Sequence, residues 1–130
     1  MRAEKRLNGW KKMYKVKMEI TKEQESILIE LLRYYGRTPA INSPDVKPSV
    51  IVDRESRNYM LIDIGWEKET RVHDCNIHFE IVENKIWIQC NNTDLDLVQE
   101  LKMRGIEEKS IVPAFLQAEN GLPVFVPAKK

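Results

Sequence analysis

Apolar residues recur at Ile27, Leu28, Leu31, Leu32 and Tyr35, the i, i+3, i+4 spacing that lines one side of an α-helix. The segment opens on Thr21-Lys22-Glu23-Gln24, a capping-box pattern in which the hydroxyl and the residue three places on satisfy orphan amides reciprocally. Glu23 and Glu25 add negative charge near the positive end of the dipole, and Gly36 provides a stop. Arg37 to Pro48 contains Pro39, Pro44 and Pro48 with Asn42 and Ser43, so it reads as a loop. Beyond it the period changes from 3.6 to two. Ser49–Asp53 is a short strand, and Arg54–Asn58 a polar turn. Tyr59–Glu67 puts Met60, Ile62, Ile64 and Trp66 on one face and Tyr59, Leu61 and Asp63 on the other. Lys68-Glu69 turns the chain into Thr70–Val82, with Cys75, Ile77, Phe79 and Ile81 facing one way and Asn76, His78 and Glu80 the other. Glu83-Asn84 reads as a two-residue hairpin loop leading to the return strand Lys85–Cys90, since Asn tolerates positive φ.

That loop fixes a register. If Val82 pairs with Lys85, then Ile81 faces Ile86, Phe79 faces Ile88 and Ile77 faces Cys90, all apolar and all on one side. Glu80 then faces Trp87, and His78 faces Gln89. A slip by one residue would mix the faces. Thr93 begins a second helix, with Asp94 and Asp96 in its first turn, a stripe of Leu95, Val98 and Leu101, and Lys102 and Arg104 near its end. Gly105 and Ile106 fit a helix C-terminus with its following apolar contact. Ile111, Val112 and Phe115 return to the core. The expected fold is a single α+β domain: an antiparallel sheet of about four to five strands, an N-terminal helix, and a second helix after the sheet. Residues 1–20 form a basic arm that frays, 21–118 the domain, and 119–130 a tail.

Composition narrows the class. At 130 residues, 42% hydrophobic and 32% charged with a net charge of +1, the chain can bury a core and is not intrinsically disordered. No apolar run approaches a membrane span, and no secretory leader is visible, so a cytoplasmic chain with two reduced cysteines is expected. The charge is uneven. Residues 1–20 hold seven basic and two acidic residues, a net +5, which leaves −4 for the rest of a chain totalling +1. Arg2, Lys5, Arg6, Lys11, Lys12, Lys15 and Lys17 are therefore candidate nucleic-acid contacts, with Trp10 and Tyr14 as stacking rings; a solvated terminus is the competing reading. Met13 and Met18 offer alternative starts.

The candidate chemistry is sparse. His73, Cys75, His78 and Cys90 are all the His and Cys present. The register above puts both cysteines on the core face and His78 opposite, so no zinc site is expected, and a buried thiol is a poor nucleophile. Asp94 and Asp96 read as helix-start charges, and no Gly-rich phosphate loop occurs. No catalytic residue, metal or cofactor is expected. The non-core sheet face is more informative. Tyr59, Leu61 and Trp87 mix there with His78, Glu80 and Gln89, more large rings than a solvated face holds, so either a helix or another chain covers it. These six are the candidate partner-binding residues.

From Asp53 onward the chain resembles the XisI family, the fdxN element excision controlling factors. The likeness is carried by Asp53-Arg54-Glu55 with Tyr59, Gly65-Trp66, Arg71-Val72, Cys75, His78, Lys85-Ile86-Trp87-Ile88-Gln89, Thr93-Asp94, Glu100-Leu101, Gly105-Ile106 and Ile111-Val112 with Phe115. It departs at Asp74, Glu83-Asn84, Asn91, Glu107 and residues 116–130, and the basic arm 1–20 is extra to the family pattern. The resemblance implies a small α+β accessory protein, not an enzyme, that controls excision of a DNA element by a site-specific recombinase. It implies an XisH-like partner of the nuclease-fold class, with an antitoxin-like inhibitor of that nuclease as an alternative; a direct DNA-binding module using the basic arm is a further alternative that rests on the arm's charge and not on the resemblance. Homo-oligomers are compatible with it, and no membrane contact is implied.

Overall fold

The computed structural model describes residues 9–37 and 44–114, without the side chains of 10, 11 and 13–20. Arg2, Lys5, Arg6, Phe115 and the tail lie outside the described residues. The first helix, α1, runs Gly9–Gly36 and so begins twelve residues before the capping-box pattern. Thr21 sits in the helix interior instead of capping it. Its hydroxyl donates to Asn84 Oδ1 at 3.2 Å, and the Gln24 side-chain amide donates to the Asn84 carbonyl at 2.8 Å. Residues that resemble a local cap thus fasten the helix to the far hairpin.

Four strands follow as a meander: β1 (Val46–Asp53), β2 (Asn58–Glu67), β3 (Thr70–Val82) and β4 (Lys85–Asn91). Helix α2 (Leu97–Met103), a 3₁₀ turn (Glu108–Ser110) and β5 (Ile111–Pro113) complete the domain. The sheet order is β1-β2-β3-β4-β5. The first four strands are antiparallel, while β5 lies parallel to β4, with Ile111 opposite Ile86. A parallel neighbour needs a crossover, and the α2 segment supplies it. The single-domain α+β architecture is as expected from the sequence, with a fifth strand that makes the sheet mixed.

Local signals held where one turn decides the geometry. Glu83 and Asn84 both have positive φ (51° and 66°), as a tight two-residue hairpin requires, and Val82 pairs with Lys85. At the end of α2, Gly105 has φ 103°, its amide donates to the Lys102 carbonyl, and the Ile106 amide reaches the Leu101 carbonyl at 3.0 Å. The start of α2 differs from the expectation. Asp96 is the cap, accepting from the Gln99 amide at 3.2 Å, while Thr93 belongs to a preceding turn built on Asn91 Oδ1.

The core lies between the two helices and one face of the sheet. Leu28, Leu31 and Leu32 of α1 meet Tyr59, Leu61, Ile77, Phe79, Ile86 and Ile88, and Leu97 and Leu101 of α2 close the same cluster. Each such side chain contributes roughly 1.5–3 kcal/mol by leaving water. Two polar ties orient the helices. The Tyr59 hydroxyl donates to Glu25 Oε2 at 2.8 Å, with Arg54 at 3.2 Å from the other carboxylate oxygen. The Tyr35 hydroxyl donates to Glu100 Oε1 at 2.8 Å, and Arg104 reaches that same oxygen at 2.7 Å. Burial, then the Glu25 carboxylate, pushes the Tyr59 phenol well above its ordinary value of 10.0. The bonds from Tyr35 and Arg104 hold Glu100 below the usual carboxylate range.

Gly65 marks a close crossing. Its φ is 153°, and an added Cβ would fall on the Asp45 carbonyl oxygen and 2.8 Å from Val46 Cα, backbone that the Trp66 amide already bonds. Gly65→Ala should therefore destabilise the fold by about 3 kcal/mol, read as a lower urea midpoint. The Tyr59 tie predicts a pH dependence. A phenol whose folded pKa is raised stabilises fully below pH 10 and loses that contribution as pH rises toward the folded value. Glu100, whose folded pKa is lowered, acts oppositely and is lost in acid. Tyr59→Phe should cost about 1 kcal/mol at neutral pH and flatten the decline in urea midpoint above pH ~10.

Candidate interaction face

Cross-strand pairing decides which residues share a face. Tyr59 is opposite Phe79 and Leu61 is opposite Ile77, so both belong to the core under α1. The candidate partner-binding set is therefore divided: Tyr59 and Leu61 face inward, while His78, Glu80, Trp87 and Gln89 lie on the opposite side. The expected faces of β2 are thus reversed: Met60, Ile62, Ile64 and Trp66, the larger apolar set, face outward. Tyr59 repays burial better, since its ring is wholly enclosed and its hydroxyl has Glu25 as partner.

Two β-bulges finish the face. Between Leu61 and Ile62 the pairing steps by one, so Ile62 meets Cys75 and Asn76 is the extra residue. Between Phe79 and His78 the β3–β4 register steps too: His78 meets Cys90, Ile77 meets Asn91, and Gln89 is extra. The predicted pairs Ile77–Cys90 and His78–Gln89 are thereby corrected, while the pairs from Phe79 to Val82 stand as expected. Both displaced amides are employed. Asn76 donates to Asp63 Oδ2 at 2.8 Å, and Gln89 to Glu80 Oε1 at 3.0 Å. The bulges also turn Cys75 and Cys90 onto the side of His78, half-buried and away from the leucine core.

The resulting outer face is organised in rows. Ile51, Met60, His78 and Cys90 form one, and Ser49, Ile62 and Cys75 the next. Lys47, Ile64 and His73 form a third, with Trp66 opposite Arg71 beyond it. Met60, Ile62 and Ile64 are half-buried, Ile51 is 39% exposed and Trp66 50% exposed. The Arg71 guanidinium lies 5.5 Å from the centre of the Trp66 ring and donates to the Gly65 carbonyl. Asn58 Oδ1 lies 2.6 Å from His78 Nε2 and fixes that ring. Trp87 is only 2% exposed and Glu80 only 7%, so neither is an accessible anchor. A contiguous apolar patch with a charged rim is suited to gripping another protein. Sequence reasoning missed it, although the alternation along β2 had already gathered Met60, Ile62, Ile64 and Trp66 on one side.

The remaining candidates are dispersed. Lys12 is exposed on α1, and Lys11, Lys15 and Lys17 fall on the same helix. Among the described residues no three of His, Cys, Asp and Glu are grouped to hold a metal, and no helix is long and apolar enough to cross a membrane. A cavity of about 400 Å³ between α1 and the loop after α2 is lined by Glu23, Gln24, Ile27, Asn84, Gly105, Ile106, Glu107 and Ser110, without His or Cys.

The family model described as XisI protein matches residues 18–121. Among solved structures, the chain is similar to a XisI-like protein from Anabaena variabilis, with 34% identity, a TM-score of 0.66, and 75% of this chain and 87% of that one covered. It also shares the fold of the fdxN element excision controlling factor XisI from Anabaena variabilis, at 23% identity and a TM-score of 0.64, covering 78% of this chain and 98% of that one. No curated protein matches the chain.

The two tryptophans of the sheet should behave differently. Trp87→Ala should lower stability by about 3 kcal/mol or more, and Trp66→Ala by less than about 1 kcal/mol, in paired urea titrations.

Proposed function

The chain belongs to the XisI family, and from that footing we propose that it is a non-catalytic accessory protein that controls excision of a DNA element by binding an XisH-like, nuclease-fold partner. A protein of this kind acts by occupying a surface of its partner and biasing its activity; the recombinase performs the strand chemistry. The observation that carries the reading is the apolar outer face of the sheet, where Ile51 and Trp66 stand exposed beside Met60, Ile62 and Ile64. A patch of that kind loses free energy to water until something covers it. The Arg71 and Lys47 rim adds positive charge suited to acidic groups on the partner.

The test is co-expression with an XisH-like protein followed by affinity purification. The expected result is a complex that survives washing and is weakened at least about tenfold, roughly 1.4 kcal/mol, by Trp66→Glu or Ile51→Glu. Circular dichroism of each variant confirms that the fold is kept. No association with the unaltered chain, or full association by both variants, rejects the proposal.

A further inference from the structure

Cys75 and Cys90 are the two cysteines of the chain. On an unbroken register both would lie in the core as small hydrophobes. The bulges at Asn76 and Gln89 bring them together on the outer face instead, each half-buried. The Cys90 thiol donates to the Cys75 carbonyl at 3.5 Å, and the Cys75 thiol to the Ile77 carbonyl at 3.5 Å. The Cys90 sulfur thus lies directly against residue 75 on the adjacent strand. Proximity across adjacent strands is the first requirement of a disulfide, and the 3.5 Å approach of the Cys90 sulfur to the Cys75 carbonyl meets it.

We infer that Cys75 and Cys90 form a redox site, which a peroxide-class oxidant converts into a disulfide joining β3 to β4. One sulfur takes an oxygen atom from the peroxide, becoming a sulfenic acid and releasing water. The second sulfur then attacks it, forming the S–S bond and expelling a second water. Two electrons leave the thiol pair and reduce the peroxide; the two thiol protons leave with the waters. A dithiol reductant reverses the change. Burial, and then the neighbouring sulfur, pushes the Cys75 thiol up to about 11, so its thiolate is scarce at neutral pH and the site responds slowly. Ile62 is the direct cross-strand neighbour of Cys75, and Met60 and His78 lie in the row of Cys90. The bond would therefore pin both bulges directly beneath the apolar face. The inference concerns the thiols alone and holds whether or not that face binds a partner.

The experiment treats the full chain with hydrogen peroxide, then measures intact mass and free thiols under non-reducing conditions. The expected product is a monomer lighter by two hydrogens, with both thiols blocked, restored by dithiothreitol. Its melting temperature should rise relative to the reduced chain, because the cross-link restricts the unfolded state. Cys75→Ser and Cys90→Ser should each abolish the mass loss and the thermal shift. Addition of oxygen to single cysteines, disulfide-linked dimers, or thiols that resist oxidation in the native chain but react once it is unfolded would each overturn the inference.

Discussion

The structure depends on which face of the sheet α1 covers. Leu28, Leu31 and Leu32 can bury themselves against only one side, and the side they take is that of Tyr59, Leu61, Ile77 and Phe79. The Tyr59 hydroxyl bond to Glu25 makes this choice specific, because a phenol enclosed without a partner would cost about 1–3 kcal/mol. The character of the outer face follows from it. Once Tyr59 points at the helix, strict alternation along β2 sends Met60, Ile62, Ile64 and Trp66 outward. The apolar surface is thus the remainder left when a strand hydrophobic on both sides is given a single layer of helices.

That two-sidedness explains what could be read from the chain in advance and what could not. The β3–β4 hairpin was legible near its turn, since Glu83-Asn84 and the apolar matches Ile81–Ile86 and Phe79–Ile88 agree. Legibility stopped at His78, where a bulge moves the register by one; nothing local announces it, and its displaced amide is satisfied by Glu80, nine residues away in sequence. For β2 the pattern offered two apolar faces and gave no reason to prefer the smaller one. The reason is tertiary: an enclosed ring with a paired hydroxyl, opposite Phe79. Of the six candidate contact residues, the four on β3 and β4 were placed on the right side, and the two on β2 were not.

The helices show the same division between local and distant causes. The end of α2 was predictable because Gly105 reaches a positive φ that closes the last turn within a few residues. The start of α1 was not. Thr21 and Gln24 have the composition of a capping box, yet their side chains bond Asn84 across the domain. Capping residues and long-range tethers draw on the same hydrogen-bonding groups, so a short motif alone does not distinguish them.

The shape of the sheet also decides how another protein can meet it. A free edge could recruit a strand, and β1 is an edge in this sheet order. Yet β1 carries Pro48, which has no amide to donate, and an exposed Lys47 beside it. Both features discourage strand addition along that edge. Among the described residues the opposite edge is β5, whose three residues are too short for a stable ladder. Among the described strands, association through the backbone is therefore disfavoured at both edges, and the outer face offers side-chain contact instead. There the bulges at Asn76 and Gln89 matter a second time: by interrupting the ladder they set the relative positions of Ile62, Met60 and the two sulfurs, and so the contour that a partner would have to match.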